Sequence, residues 1–224
     1  MSSSELQVVY QDDALLVLDK PAGLLSVPGR GDDKQDCLSA RVQWQFADAL
    51  IVHRLDMATS GLMIMARGIA NQRMLSNAFA SREVVKRYIA VVDGLISCQG
   101  EDWNEINLPI AVDWPNRPLR IIDTTRGKPS LTRWRKSELE TPRLAIDVQK
   151  QANTTRLELE PLTGRSHQLR VHLKALGHPI LGDALYARPE VQSKSDRLLL
   201  HAVGLTLYHP VTGEPIAFQS APPF

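Results

Sequence analysis

At 224 residues the chain suits one large domain or two small ones, and 43% apolar residues can supply a sizeable core. A net charge of +1 argues against a protein that grips nucleic acid by bulk basicity alone. The two cysteines, Cys37 and Cys98, lie too far apart for a metal-type spacing, form no disulfide framework and point to a reducing compartment.

The start, Met-Ser-Ser-Ser-Glu-Leu-Gln, has no basic n-region and no apolar h-region, and no apolar run reaches the ~20 residues of a membrane span. A cytoplasmic protein with no membrane partner is expected. In chain order, a strand is predicted over 15–18 and a helix over 37–46. Apolar runs at 49–52 and 62–66 have the length of buried strands, and between them lies His53-Arg54-Leu55-Asp56-Met57-Ala58, with turn chemistry from Thr59, Ser60 and Gly61. A helix is predicted over 69–81, with Ile69, Met74, Leu75 and Phe79 on one face. Strands follow at 88–92, 120–122, 131–135, 144–148 and 155–159, where Thr155-Arg156-Leu157-Glu158-Leu159-Glu160 alternates most clearly, and at 205–208. A helix over 167–176 sets Leu169, Leu173 and Leu176 on one stripe, stopped by Gly177. Many strands and few helices argue an α+β fold around a largely antiparallel sheet.

The residues that can carry chemistry each have a plainer role as well. Asp56 is a carboxylate on a short polar connection between rigid elements, where catalytic groups are often held. Local pattern alone favours an Asx-turn residue bonded to its own loop. On the predicted helix wheel Arg170 falls with His167 and Lys174, away from the leucine stripe, free to point into a cleft or simply into solvent. Between Pro115 and Lys136 seven bases (Arg117, Arg120, Arg126, Lys128, Arg133, Arg135 and Lys136) face one acid, Asp123: a solvated strand face or a phosphate-contacting surface.

His53-Arg54-Leu55-Asp56 with Thr59-Ser60-Gly61 resembles the catalytic motif of the RluA family of pseudouridine synthases. Further matches run in order: Lys20-Pro21-Ala22-Gly23-Leu24, Lys86-Arg87-Tyr88, Gly164-Arg165-Ser166-His167-Gln168-Leu169-Arg170-Val171-His172, His178-Pro179-Ile180-Leu181-Gly182-Asp183 with Tyr186, and Leu198-Leu199-Leu200-His201-Ala202. Val27-Pro28-Gly29-Arg30 and Asp113-Trp114-Pro115-Asn116-Arg117-Pro118 look like the subgroup acting on both ribosomal and transfer RNA.

The resemblance implies an extended, mostly antiparallel mixed sheet flanked by helices and loops around a central active-site cleft. It also implies one catalytic domain over 1–224 with no S4-type domain ahead of Lys20. The reaction converts uridine to pseudouridine in RNA, in large-subunit rRNA and tRNA anticodon loops, with the base flipped out. It is redox-neutral and calls for no cofactor and no metal. Asp56 is then the nucleophile or stabilising carboxylate, Tyr88 packs on the uracil, and Arg170 is the counter-charge to Asp56. Arg54 fills the gap in the RNA stack, Leu200 walls the uracil, and Arg165, Lys86 and Arg117 bind RNA. Plainer roles remain: a loop ion pair for Arg54, strand core for Leu200. Lys20 and Pro21 shape the rim without a catalytic role, and His167 and His172 are structural or RNA-facing. The 137–154 stretch reads as a lengthened hairpin that, lying by the cleft, would make the substrate set narrower or different. A monomer is the simpler expectation. The rival readings are a base-excising glycosylase, a metal-free hydrolase using Asp56 and His53, and a non-catalytic RNA-binding or ribosome-assembly module. An altered Asp56, Tyr88 or Arg170 would favour the last, and all three are intact.

Overall fold

The computed structural model describes residues 6–97, 102–137 and 153–224. The strand expected at 144–148 lies outside them, as does most of the 137–154 stretch. The chain divides into two compact units, Met1–Lys86 with Ala202–Ala221 and Arg87–His201 with Pro222–Phe224.

The first unit is built on β1 (Val8–Gln11), β2 (Leu15–Lys20), β3 (Ala49–Ile51), β4 (Ser60–Arg67), the 202–208 part of β11 (Leu200–Tyr208) and β12 (Pro215–Gln219). The strands run in the order β1-β2-β4-β11, with β3 paired to β4 and β12 to β11. Seven of the eight residues of β4 are buried. A strand covered on both faces needs apolar residues at every position, so its sequence is a continuous run rather than an alternation. Helix α1 spans Leu38–Gln45 and is capped by the buried Cys37. Helix α2 spans Gly68–Ala80 and presses Leu75 on the Leu15, Val17, Leu62, Ile64 face, with Ala78 and Phe79 beside it. Burying such a leucine contributes about 1.5–3 kcal/mol. Ile69 and Met74, expected on the same face, are more than half exposed. At about 100° per residue Met74 points well away from Leu75, whereas Phe79 returns close to it.

The second unit carries β5 (Val85–Asp93, from Arg87), β6 (Asn104–Asn107), β7 (Ile110–Val112), β8 (Arg120–Ile122), β9 (Leu131–Lys136) and β10 (Thr154–Pro161), with helices α3 (Gln168–Ala175) and α4 (Pro189–Gln192). β10 pairs antiparallel with β5 and β9, β9 pairs with β6, and β7-β8 form a separate two-stranded sheet. The register puts Tyr88, Leu159 and Trp134 on one face, together with Thr132 and Ile106. Helix α3 covers that face, because His172 Nδ1 meets Thr132 Oγ1 at 2.9 Å. Its stop is the expected one: Gly177 at φ 85°, with Gly177 N–H donating to Lys174 O at 2.9 Å and His178 N–H to Leu173 O at 3.0 Å. The amphipathic reading of α3 does not hold. Residues 168–173 are all buried, while Leu176 of the expected stripe is 37% exposed. The polar residues tolerate burial because each has built-in partners.

The α+β architecture and the antiparallel pairings agree with the sequence pattern. Strands β1 and β6 were not anticipated; all of β1 and half of β6 are exposed, so no apolar alternation marks them. β12 carries a period-two signal in Ile216 and Phe218, which pack on the first unit's core.

Candidate active site

In the first unit Asp56 sits on the connection from β3 to β4, strands that pair antiparallel with Leu50 opposite Ala66. The turn is at 56–59, where Thr59 N–H donates to Asp56 O at 3.1 Å. Ser60 and Gly61, expected in the turn, already belong to β4. Gly61 is required there: its φ is 110°, and a Cβ would stand 2.4 Å from Ala202 O on β11.

Backbone groups on both sides of Asp56 are pinned. The buried Ser26 hydroxyl donates to Leu55 O at 2.7 Å and accepts from Leu55 N–H at 3.1 Å. Gly23 N–H donates to Met57 O at 2.8 Å. Lys20, with no exposed surface, donates from Nζ to Pro21 O and Leu24 O at 2.8 Å each and to Met57 O at 3.2 Å. A buried ammonium is costly unless its protons are all engaged. Here it ties the Lys20–Leu24 segment to the residue after Asp56. Lys20, expected to shape the rim, instead supports the loop from inside the fold. Asp56 itself is half-buried and Arg54 is exposed.

His53 anchors the other end of the connection. Its Nε2 accepts from Ile64 N–H at 2.9 Å and its ring stacks on Phe79 with centroids 4.3 Å apart. A nitrogen that accepts a hydrogen bond carries no proton, so the imidazole is neutral. Burial, and then the nearby Lys86 ammonium, push its pKa down to about 3. Lys86, expected to bind RNA, is half-buried.

In the second unit Arg170 is 4% exposed and makes a two-pronged pair with Asp183, Nε to Oδ2 at 2.8 Å and Nη2 to Oδ1 at 2.6 Å. Asp183 Oδ1 also accepts from Leu185 N–H at 2.9 Å and Tyr186 N–H at 3.1 Å. Gly182 lets this corner form, since a Cβ there would meet Arg197 O at 1.9 Å. Arg170 was expected on a polar helix face, free to point into a cleft or into solvent. Instead its guanidinium is held in a fixed orientation, over the Tyr186 ring at 5.1 Å. Asp183 was visible in the His178–Asp183 motif without a role; orienting Arg170 is that role.

Tyr88 is half-buried on the α3 side of the sheet, opposite Leu159. Leu200 is 3% exposed, next to Leu199, whose carbonyl accepts from Val91 N–H at 3.1 Å. His172 is fully buried, with Nδ1 on Thr132 and Nε2 on Leu108 O at 2.9 Å each. Buried with both ring nitrogens engaged, it takes the structural one of its two expected roles, and desolvation lowers its pKa. His167 Nδ1 lies 2.6 Å from Tyr186 Oη.

The basic stretch is less basic in space than in sequence. On the sheet face opposite Tyr88, Arg133 and Arg135 face Glu160 and Glu158 at 3.4 and 2.6 Å, and Arg87 pairs with Glu160 as well. Their guanidiniums stand over the Trp103 ring at 4.7–5.2 Å. Arg126 is held by Asp123 at 2.8 Å. Arg117 and Arg165 are exposed, as RNA-binding residues need to be.

Among the described residues, no helix is long and apolar enough to cross a membrane. A family model described as RNA pseudouridylate synthase matches residues 14–175. The dual-specificity RNA pseudouridine synthase RluA of Shigella flexneri is 46% identical over 220 residues, covering 98% of this chain and 94% of that protein. The protein of the same name from Haemophilus influenzae is 43% identical over 219 residues, with the same coverage of 98% and 94%. Among solved structures, human RNA pseudouridylate synthase domain containing 1 matches with a TM-score of 0.77 at 28% identity, over 100% of this chain and 86% of that one. The resemblance read from the motifs thus extends over nearly every residue, and the chain belongs to the RluA family of RNA pseudouridine synthases.

Proposed function

We propose that this pseudouridine synthase has dual specificity, isomerising uridines in large-subunit rRNA and in tRNA anticodon stem-loops, with Asp56 as the reacting carboxylate. The observation that carries the assignment of Asp56 is its setting. The carboxylate stands in the family's motif, on a connection whose flanking residues Leu55 and Met57 are fixed through their backbones by Ser26, Gly23 and Lys20. A reacting group must be held to within a fraction of an ångström, and main-chain anchoring on both sides of Asp56 does this.

The bond from ribose C1′ to N1 breaks, uracil turns, and C1′ bonds to C5. The C5 proton leaves and N1 takes one up, so the reaction is balanced without an external reductant or oxidant. Asp56 attacks or stabilises the electron-poor centre that forms when the glycosidic bond breaks. The motif match assigns Tyr88 to the uracil face. It assigns Arg170 to keeping a carboxylate ionised, and the Asp183 pair supports this by locking the guanidinium's orientation. Arg54 and Arg165, both exposed, are assigned to the RNA. The whole chain acts as one catalytic domain, as a monomer.

Tritium at C5 of uridine tests the reading. Wild-type protein should release it from a tRNA anticodon stem-loop and from a large-subunit rRNA fragment without losing the base. Asp56→Asn should be slower by about 10⁴-fold or more, as loss of a reacting group is in other enzymes. Release by the variant at the wild-type rate would remove Asp56 from the chemistry. Release from only one RNA would reduce dual specificity to single.

A further inference from the structure

The loop between β7 and β8 holds an exposed tryptophan that the roles above do not use. Trp114 is 64% exposed, and the Arg117 guanidinium lies over its ring at 4.6 Å. A cation on one face of an indole, with most of the side chain still exposed, leaves the opposite face open to solvent. Single exposed apolar residues are common and need no explanation. This one stands on a loop built to hold it. Asp113 N–H donates to Leu119 O at 3.1 Å and Leu119 N–H to Asn116 O at 3.0 Å. Asn116 Nδ2 donates to Asp113 Oδ2 at 3.0 Å, and Arg117 Nε to Trp114 O at 3.2 Å. Arg120 then closes the loop, Nη1 donating to Pro118 O and Leu119 O at 3.1 Å each.

The loop is also tied to the helix that carries Arg170. Arg120 N–H donates to Tyr186 Oη at 2.9 Å, and that hydroxyl meets His167 Nδ1, the residue that caps α3, at 2.6 Å. An indole fixed in this way on the same unit as Tyr88 and Arg170 loses little conformational freedom when a flat group settles on it.

We propose that Trp114 is a stacking platform for an unpaired nucleobase of the substrate RNA, away from the target uridine, with the Arg117 guanidinium held on the far face of the indole to meet the adjoining phosphate. Every base has a π face, so the platform is sequence-tolerant and selects for an unstacked loop nucleotide rather than for a particular letter. The two cations of the loop, Arg117 and Arg120, complement the phosphates; its one acid, Asp113, accepts from Asn116. A base on Trp114 and a uridine flipped out elsewhere would then require RNA that is single-stranded at two points, which fits a folded loop and excludes a continuous duplex.

The inference rests on the RNA-modifying reading above. Its test is binding and kinetics with fluorescein-labelled anticodon stem-loop and large-subunit rRNA hairpin. Trp114→Ala should weaken binding about 5- to 150-fold, the range measured for losing one stacked base. KM should rise accordingly with kcat nearly unchanged, and Trp114→Phe, which keeps a flat ring, should restore most of the affinity. RNA should also quench the wild-type indole fluorescence more than that of Trp114→Phe. Binding by Trp114→Ala within twofold of wild type, or equal quenching in wild type and Trp114→Phe, overturns the platform and leaves the synthase reading standing. Wild-type protein that binds both RNAs but releases no tritium defeats the substrate reading, and the binding series still decides the platform. Wild-type protein that binds neither RNA overturns both.

Discussion

The connection around Asp56 is fastened through its backbone, whereas helix α3 is fastened through its side chains. Around Asp56 the hydrogen-bonded groups are main-chain ones, the carbonyls of Leu55 and Met57, which accept, and the N–H of Leu55, which donates. On α3 they are Arg170 on Asp183, Gln168 Nε2 on Thr132 Oγ1 at 3.0 Å, and His172 between Thr132 and Leu108. In the loop, therefore, position and side-chain identity are separable. A substitution at Asp56 or Arg54 leaves the main-chain hydrogen bonds of Leu55 and Met57 in place. In the helix they are not, since the polar side chains themselves hold the fold.

The sharpest break of that contrast is Asp183→Ala. It leaves the Arg170 charge without its carboxylate in a buried setting, and breaking such a pair costs about 3–5 kcal/mol. Urea unfolding should show the loss, and activity should fall with it. Unchanged stability would mean that α3 is not held through this side chain. A smaller effect is expected at Lys20→Met, where Pro21 O and Leu24 O lose a donor while Met57 O keeps Gly23 N–H. A destabilisation of about 1–3 kcal/mol should follow. Because the loop is held at its backbone, kcat should fall while KM for RNA changes little. A KM effect alone would place Lys20 in substrate binding instead.

At neutral pH the smallest effect is that of the His53 titration, which grows as pH falls. His53 has a folded-state pKa of about 3 against an ordinary 6.5. Below about pH 6.5 the unfolded chain takes up a proton that the folded chain refuses until about pH 3, so stability is full above that window and falls as pH drops through it. His53→Gln keeps an acceptor for Ile64 N–H and removes the titration. Its denaturant midpoint should fall less steeply than that of wild type between about pH 7 and about pH 4. His172 shifts in the same direction, so part of the slope should remain.

How much of this could be read from sequence differs between the same two regions. The strand–loop–strand frame of Asp56 was legible, because β3 and β4 are covered on their buried faces and so are written as unbroken apolar runs. The helix limits at 37–46, 69–81 and 167–176 fell within a residue of those observed, since caps and Gly177 are local signals. The burial of Arg170 was not legible. Its partner lies 13 residues on, and a helical wheel assigns any arginine to water. The burial of Lys20 was hidden for the same reason: the carbonyls that accept from its ammonium carry no mark in the sequence. Of the seven bases at 115–136, Arg133 and Arg135 looked unopposed because Glu160 and Glu158 reach them only through the pairing of β10 with β9.

That pairing has a consequence for the way RNA is held. Arg126, Arg133 and Arg135 already face carboxylates, so they have few condensed counterions to displace from a polyanion. Each phosphate newly neutralised on a single strand steepens the salt dependence by about 0.7 in the log–log slope, and these three add little to it. Affinity should therefore survive rising ionic strength better than the count of bases suggests. Discrimination would then be governed by whether the RNA loop can present its bases, rather than by how much negative charge it carries.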